Sequence, residues 1–328
     1  EQGAGLRSDL ADSILRKEGM AEAEREIAHC RKHNICAIAA TDADYPPQLH
    51  QVVDRPHILF VKGNVEALGL RMLSMVGTRE ISPSGAYVVE SLVGGLANVE
   101  GLCVVSGLAF GVDAASHRAA LHNGLRTVAV IASPLPQITP STHQRLADQI
   151  VDEGGAIVSE LHSSFHSKGN LYIARNRIIA ALGEGTLVVE SPASGGSLAT
   201  AGMADSYGRV VMAVPGRVSD ANALGTNNLI RSGRARLVVT ARDIIEDLGW
   251  ERYLRGSKEQ PIVEAHNLDD LTPTQRRVYA AFDTSVTMDY PQLLAATSLT
   301  MGELSMVMLD LELKGLIRAL PGKQYEKI

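Results

Sequence analysis

Met72-Leu73-Ser74-Met75-Val76-Gly77-Thr78-Arg79 passes from a non-alternating apolar run directly into a glycine, a hydroxyl and a cation, and Ser82-Pro83 follows. A continuous apolar run is the pattern of a strand covered on both faces. Serine at an N-cap with proline at the first helical position announces a helix. The stretch therefore reads as one β–loop–α unit of a parallel sheet. The unit recurs at Cys103–Ser106, Thr127–Ile131, Ala156–Ser159, Thr186–Glu190, Val210–Val214 and Leu237–Val239, each separated by a segment of helical period. A second helix opening lies at Pro140-Ser141. Seven such strands predict an α/β fold with a doubly wound, mostly parallel sheet. Ligands of these sheets sit in the crevice at the carboxyl ends of the strands.

Outward from this centre the pattern changes. Residues 1–66 read as a small helical N-terminal domain, with apolar spacing in Leu6–Ile14 and Ala21–Cys30 and an extended stretch at Ile58–Val61. Tyr45-Pro46-Pro47 interrupts any helix there. Residues 67–249 form the sheet domain. The mixed, charged, proline-bearing stretch 250–267 reads as a linker. In 268–328, Leu271-Thr272-Pro273 caps a helix over Thr274–Phe282, and helical patterns follow at Tyr290–Thr297 and Met301–Lys314. Two short strands are expected around the turn at Pro321-Gly322, which makes a winged helix.

The 328 residues are 45% apolar and 21% charged, an ordinary globular composition that excludes a disordered, fibrous or coiled-coil chain. No apolar run reaches the roughly 18 residues of a membrane span, and no basic-then-apolar leader is present. Position 1 is Glu, so native residues before it are left open. Three cysteines, Cys30, Cys36 and Cys103, show no paired spacing, which points to unpaired thiols and a cytoplasmic location. Aromatics at 4% argue against extensive base-stacking platforms.

The net charge of −6 is unevenly spread. Residues 161–242 carry nine Lys and Arg against four Asp and Glu, while residues 243–328 carry nine against fourteen. No carboxylate occurs from Leu161 to Gly183, where Lys168, Arg175 and Arg177 lie, nor from Ala114 to Ala147. This asymmetry points to a focused anion site. Chance clustering on a solvated face is the plainer alternative.

The loops after the strands carry the chemistry. Gly77, Thr78, Arg79 and Ser82 combine a close backbone approach, a guanidinium fork and a helix N-terminus, all suited to phosphate. The alternative is ordinary turn chemistry. Ser106 and Gly107 begin a second glycine loop, Ser106-Gly107-Leu108-Ala109-Phe110-Gly111-Val112-Asp113, with His117 one turn later. Asp113 and His117 suit either acid–base work or a helix-capping Asp paired with a histidine at i+4, and the second is favoured. Arg175, Asn176 and Arg177 cluster early in a helix, where they suit phosphate and base edges. Gly195, Gly196 and Ser197 precede a small-residue helix, an anion-accepting turn. Pro215-Gly216-Arg217 and Gly225-Thr226-Asn227-Asn228 follow later strands.

No G-x-x-x-x-G-K-[ST] loop, strand-to-helix G-x-G-x-x-G or G-x-S-x-G elbow occurs. No cofactor is implied. His162 and His166 lack an evident third metal ligand and read as a surface pair.

Taken in order, Val76-Gly77-Thr78-Arg79, the 106–113 loop, Ser159-Glu160-Leu161, Arg175-Asn176-Arg177-Ile178-Ile179, residues 194–201, Val214-Pro215-Gly216 and Asn227-Asn228-Leu229-Ile230 resemble the DNA-processing protein A (DprA/Smf) family. Tyr45-Pro46, Leu59–Asn64 and Leu311–Ile317 resemble its lead-in and its winged helix. The resemblance implies an extended Rossmann-like sheet, a partial SAM-like N-terminal domain and binding of single-stranded DNA. It also implies a homodimer that loads a RecA-type recombinase onto DNA held by single-strand binding protein during natural transformation, without catalysis. Carried over by motif, Arg79 and Arg175 are the principal phosphate contacts, and Gly77, Ser106, Gly107, Asn176 and Arg177 shape the pocket.

The chain departs from the family pattern at Phe110, where a cation is common, at residues 133–140, and at Tyr172-Ile173-Ala174 before the Arg-Asn-Arg run. Tyr172 retains a ring able to stack on a base. The rival readings are a phosphoribohydrolase-like enzyme and a nucleotide sensor. The loop 194–201 lacks the glutamate such enzymes use. The net −5 of residues 243–328 favours protein contact over phosphate for the winged helix.

Overall fold

The computed structural model describes residues 12–13, 15–165, 171–255, 271–282, 288–314, 316–320 and 324–327. The chain divides into two units, residues 1–256 and 257–328. In the first, α1 (Met20–Lys32) leads to β1 (Ile35–Ala39), β2 (Ile58–Gly63), β3 (Arg71–Val76), α2 (Pro83–Leu96), β4 (Leu102–Ser106) and α3 (Val112–His122). Next come β5 (Arg126–Val130), α4 (Gln144–Asp152), β6 (Ala156–Ser159), α5 (Leu171–Leu182), β7 (Gly185–Val188) and α6 (Gly196–Ser206). The unit ends with β8 (Val210–Ala213), α7 (Leu224–Arg231), β9 (Arg236–Leu237) and α8 (Ala241–Leu248).

All seven apolar runs are strands, and they pair in parallel in the order β6-β5-β4-β3-β7-β8-β9. The chain builds outward from β3 to β6, returns to place β7 beside β3, and then builds outward the other way. The loops leaving β3 and β7 therefore diverge to opposite faces and open a crevice between them.

The period of two in β3 divides the core. Leu73 and Met75 enter the cluster packed with α2, α3 and α8, centred on Val93, Val104, Leu187 and Trp250. Met72 and Val76 enter the opposite cluster with Val128, Ile178 and Ala201, under α5 and α6. Ser74 lies on that second face, and its buried hydroxyl donates to the Ile179 carbonyl at 2.6 Å, which satisfies it. Ser82 caps α2 as expected, its Oγ accepting from the Gly85 N–H at 2.9 Å.

Two expectations change at the flanks. The extended stretch expected at Ile58–Val61 is β2, but the segment before it is not helical throughout: β1 pairs antiparallel with β2, β2 pairs antiparallel with β6, and both extend the main sheet. Ile35 and Ile38 are buried on either side of exposed Cys36 and Ala37, which gives β1 no alternation to read. The Leu6–Ile14 pattern lies largely outside the described residues. The linker expected from residue 250 begins later: Trp250 is fully buried in the sheet domain and its Nε1 donates to Glu184 at 2.8 Å. Arg71 stacks on Tyr253, its guanidinium carbon 3.3 Å from the ring centre.

The second unit contains α9 (Pro273–Ala281), β10 (Met288–Asp289), α10 (Tyr290–Thr297), α11 (Met301–Leu313), β11 (Ile317–Leu320) and β12 (Gln324–Lys327). Each helix starts with a reciprocal capping box, at Thr272 with Gln275, Asp289 with Gln292, and Thr300 with Glu303. Val278, Leu293, Leu304, Met308 and Leu311 pack with Ile317 of a three-stranded sheet ordered β10-β12-β11. This is a winged helix. The two-residue strand β10 is too short to read from sequence. Among the described residues, no single helix is long and apolar enough to cross a membrane.

Candidate nucleic-acid interface

At the carboxyl ends of β3, β4 and β7 lies a cavity of about 480 Å³. Its walls are Gly77, Thr78 and Arg79 after β3, Ala109, Phe110 and Asp113 around the start of α3, Tyr172, Arg175 and Asn176 on α5, and Pro192, Gly195, Gly196, Ser197 and Thr200 around the start of α6. Loops far apart in sequence thus meet at the expected crevice.

The two arginines assigned equal weight in the sequence have different environments. Arg79 is exposed at the rim, with its guanidinium carbon 4.9 Å from the centre of the Tyr172 ring. Arg175 is only 4% exposed, and its Nη1 donates to the Val130 carbonyl at 2.8 Å. Buried Asp113 lies beside it, and burial pushes the Asp113 carboxyl up while Arg175 pulls it down. Burial also lowers the Arg175 pKa, which the charge of Asp113 opposes. Arg175 is thus the floor of the cavity, with much of its charge answered from within.

The glycines explain how this floor fits. A Cβ on Gly107 would overlap Arg175 Nη1 and approach Asp113 Oδ2 to 2.6 Å. Gly111 has φ of 75°, and a Cβ there would collide with the Thr78 carbonyl. Gly107 thus makes room for Arg175, and Gly111 allows the β4–α3 loop to fold against the β3 loop.

The N-terminus of α6 opens on the cavity. Its cap residue, Gly195, contributes no side-chain hydrogen bond to the first turn. Ser197 Oγ donates to Ser191 Oγ at 2.9 Å, and Asn176 Nδ2 donates to the Gly196 carbonyl at 3.4 Å. Unsatisfied N–H groups and the helix dipole make such an end receptive to an anion.

The other sequence-derived site residues stand elsewhere. Ser82 Oγ donates to Glu190 while capping α2. Ser106 is buried and its Oγ donates to the Met75 carbonyl at 2.7 Å. Arg177 is turned out of the cavity, because two residues along a helix rotate a side chain by about 200°. Its guanidinium pairs with Glu160 at 2.5 Å and approaches Asp54 at 4.0 Å. Lys168 and His166 lie outside the described residues.

Asp113 and His117 are not partners. His117 Nδ1 lies 2.7 Å from Thr127 Oγ1, whose own proton goes to the Val104 carbonyl at 2.7 Å. Nδ1 therefore carries the imidazole proton. Burial pushes the His117 pKa down to about 3. Among the described residues no three His, Cys, Asp or Glu side chains group as a metal site. Phe110 and Ile173 also line the cavity, and their exposed rings and methyls were signalled in the sequence only as departures from the motif.

The profile described as DNA recombination-mediator protein A matches residues 36–249, and that described as DprA winged helix domain matches residues 263–323. The chain belongs to the DNA recombination-mediator protein A (DprA/Smf) family. It is 39% identical over 206 residues to the DNA processing protein DprA of Streptococcus pneumoniae, covering 63% of this chain and 72% of that one. It is 34% identical over 300 residues to the Smf protein of Escherichia coli, covering 91% and 79%. The solved structure of the pneumococcal family member superposes with a TM-score of 0.61 at 37% identity, over 67% of this chain and 77% of that one. A Helicobacter pylori DNA processing protein A, described as having a unique single-stranded DNA binding mode, superposes with a TM-score of 0.58 at 25% identity, over 67% and 97%.

Proposed function

We propose that this chain binds single-stranded DNA in the cavity between β3 and β7 and acts as a recombination mediator. One observation carries the reading: Arg79, exposed and stacked on Tyr172, stands at the mouth of a cavity that also receives the uncapped start of α6. A phosphate there meets a guanidinium fork and free backbone N–H groups, while a base meets the ring of Tyr172. Thr78 and Asn176 supply neutral donors at the walls, and Ser197 offers its backbone N–H at the start of α6. Gly77, Gly195 and Gly196 bring the backbone close, Gly107 makes room for Arg175 at the floor, and Ser106 holds the end of β4 beneath it. Ser82 serves as a cap, and Arg177 holds α5 through Glu160.

The cavity admits only a few phosphates, so useful affinity comes from two cavities on one strand, as in a two-fold homodimer. In this reading the dimer delivers the strand to a RecA-type recombinase, displacing single-strand binding protein during DNA uptake in the cytoplasm. Parallel titration with an oligonucleotide and with AMP tests the class. The expected result is saturable oligonucleotide binding with no release of base from AMP. Turnover of AMP that disappears on Ser197→Ala would replace this reading with the enzyme. Sedimentation and a ladder of oligonucleotide lengths test the dimer, which requires affinity to rise steeply once a strand reaches both cavities.

A further inference from the structure

The third helix of the winged helix, α11, is apolar on two opposite sides. Leu304, Met308 and Leu311 form one stripe and are buried in the domain core. Met306 and Leu309 lie about 140–200° around the helix from Leu304 and are 72% and 57% exposed. Gly302, one turn before Met306 and exposed, continues that outer stripe. A helix that is apolar all round ordinarily lies inside a larger core.

The flanks of the outer stripe are acidic. Glu303 and Asp310 border it on one side and Glu312 on the other, all three exposed, and the helix MGELSMVMLDLEL holds no cation. Glu303 keeps its charge, since the Thr300 hydroxyl and N–H hydrogen bonds hold its carboxyl below the usual carboxylate range. Asp310 accepts from Gln275 Nε2 at 3.3 Å. Arg277 of α9 also favours the charged form of Glu303, and the nearest cation along the chain is Lys314 at the C-cap of α11.

We propose that α11 is a docking surface for a basic amphipathic helix of a partner protein. Its apolar stripe covers Met306 and Leu309, and its Lys and Arg side chains meet Glu303, Asp310 and Glu312. Charge selects this occupant over the others. A nucleic acid needs cations on the helix that meets it. An anionic membrane surface repels three carboxylates. A second copy of α11 brings the same charges face to face. Unbranched Met306, with its polarizable thioether, adapts to a helix whose side chains vary.

The test uses the full chain with isotope-labelled methionine methyls. Two helical peptides about five turns long serve as probes, each with a leucine stripe, one with lysine flanks and one with glutamate flanks. The lysine peptide is expected to bind saturably, shifting the Met306 methyl while the core Met308 methyl stays in place. Met306→Lys with Leu309→Lys should weaken that peptide about tenfold or more, whereas Met306→Leu should bind as the parent does. Circular dichroism that matches the parent confirms that the double variant is folded. Equal binding by the double variant, or equal binding of the glutamate peptide, overturns the proposal. So does a parent chain that self-associates through this stripe and dissociates in the double variant, since a second copy is then the occupant. Loss of duplex DNA binding in the double variant likewise overturns it in favour of nucleic acid.

Discussion

The guanidinium of Arg79 lies over the ring of Tyr172, its central carbon 4.9 Å from the ring centre. One residue leaves β3 and the other belongs to the first turn of α5. The contact therefore ties the loop leaving β3 to the helix that precedes β7. A cation–π contact at a partly exposed site contributes about 0.5–1 kcal/mol, enough to bias the rotamer of Arg79. Among the described residues Arg79 has no carboxylate partner, unlike Arg177.

Tyr172→Ala should therefore lower single-strand affinity twice over, by removing a stacking platform and by freeing Arg79. The expected loss is about 1–3 kcal/mol, the scale of one base–aromatic stack. Tyr172→Phe should retain most of the affinity. Fluorescence anisotropy with a labelled oligonucleotide measures both, and equal affinity for the alanine variant would remove Tyr172 from the interface.

Arg175→Met should damage stability before it damages binding. The change leaves Asp113 buried without its compensating cation, a defect of about 3–5 kcal/mol. Arg175 lowers the Asp113 pKa against burial, so its loss raises that pKa further. A carboxyl with a raised folded-state pKa stabilises the fold at low pH and withdraws that stability as pH rises. The variant should thus lose stability relative to the parent as pH climbs from about 4, and Arg175→Met with Asp113→Leu should recover much of the loss. Urea denaturation at several pH values provides the measurement. A single variant as stable as the parent at neutral pH would contradict the role of Arg175 as the cation that compensates buried Asp113.

His117 should stay neutral throughout the physiological range. Its folded-state pKa is pushed down to about 3 from an ordinary 6.5. The unfolded chain takes up a proton below 6.5 that the folded chain refuses, so stability falls as pH drops from there toward 3. Nuclear magnetic resonance of the His117 ring should show no titration between pH 5 and 8. A midpoint inside that window would mean the ring is not held as described.

The sheet was legible in the sequence because parallel strands buried on both faces give unbroken apolar runs. Leu73 and Met75 enter one core and Met72 and Val76 the other, and the one polar residue between them, Ser74, is small, buried and hydrogen-bonded. Strand β1 was not legible, since its two buried isoleucines bracket exposed residues and its place depends on pairing with β2. The crevice was found from the glycine loops, yet their spacing could not rank the arginines. Whether a guanidinium lies exposed beside a ring or under a carbonyl depends on the approach of β5 and α3, which no local motif encodes. Arg177 was grouped with Arg175 by adjacency, and helical rotation separates them.

Arg177→Ala should leave single-strand affinity nearly unchanged while costing about 1 kcal/mol of stability, the net value of a hydrogen-bonded partner lost. Thermal unfolding and a binding titration on the same preparation separate the two effects. A large loss of affinity with unchanged stability would return Arg177 to the cavity.

The salt dependence of binding, measured for the parent chain and for Arg79→Ala on a single-stranded oligonucleotide and on its duplex, tests the central claim most directly. The parent should prefer the single strand. Arg79→Ala should bind it about 1–3 kcal/mol more weakly, as for a lost charge-assisted contact. The slope of log affinity against log salt should become shallower by about 0.7 for each phosphate contact removed. A folded Arg79→Ala protein with the parent's affinity and the parent's slope would contradict the account.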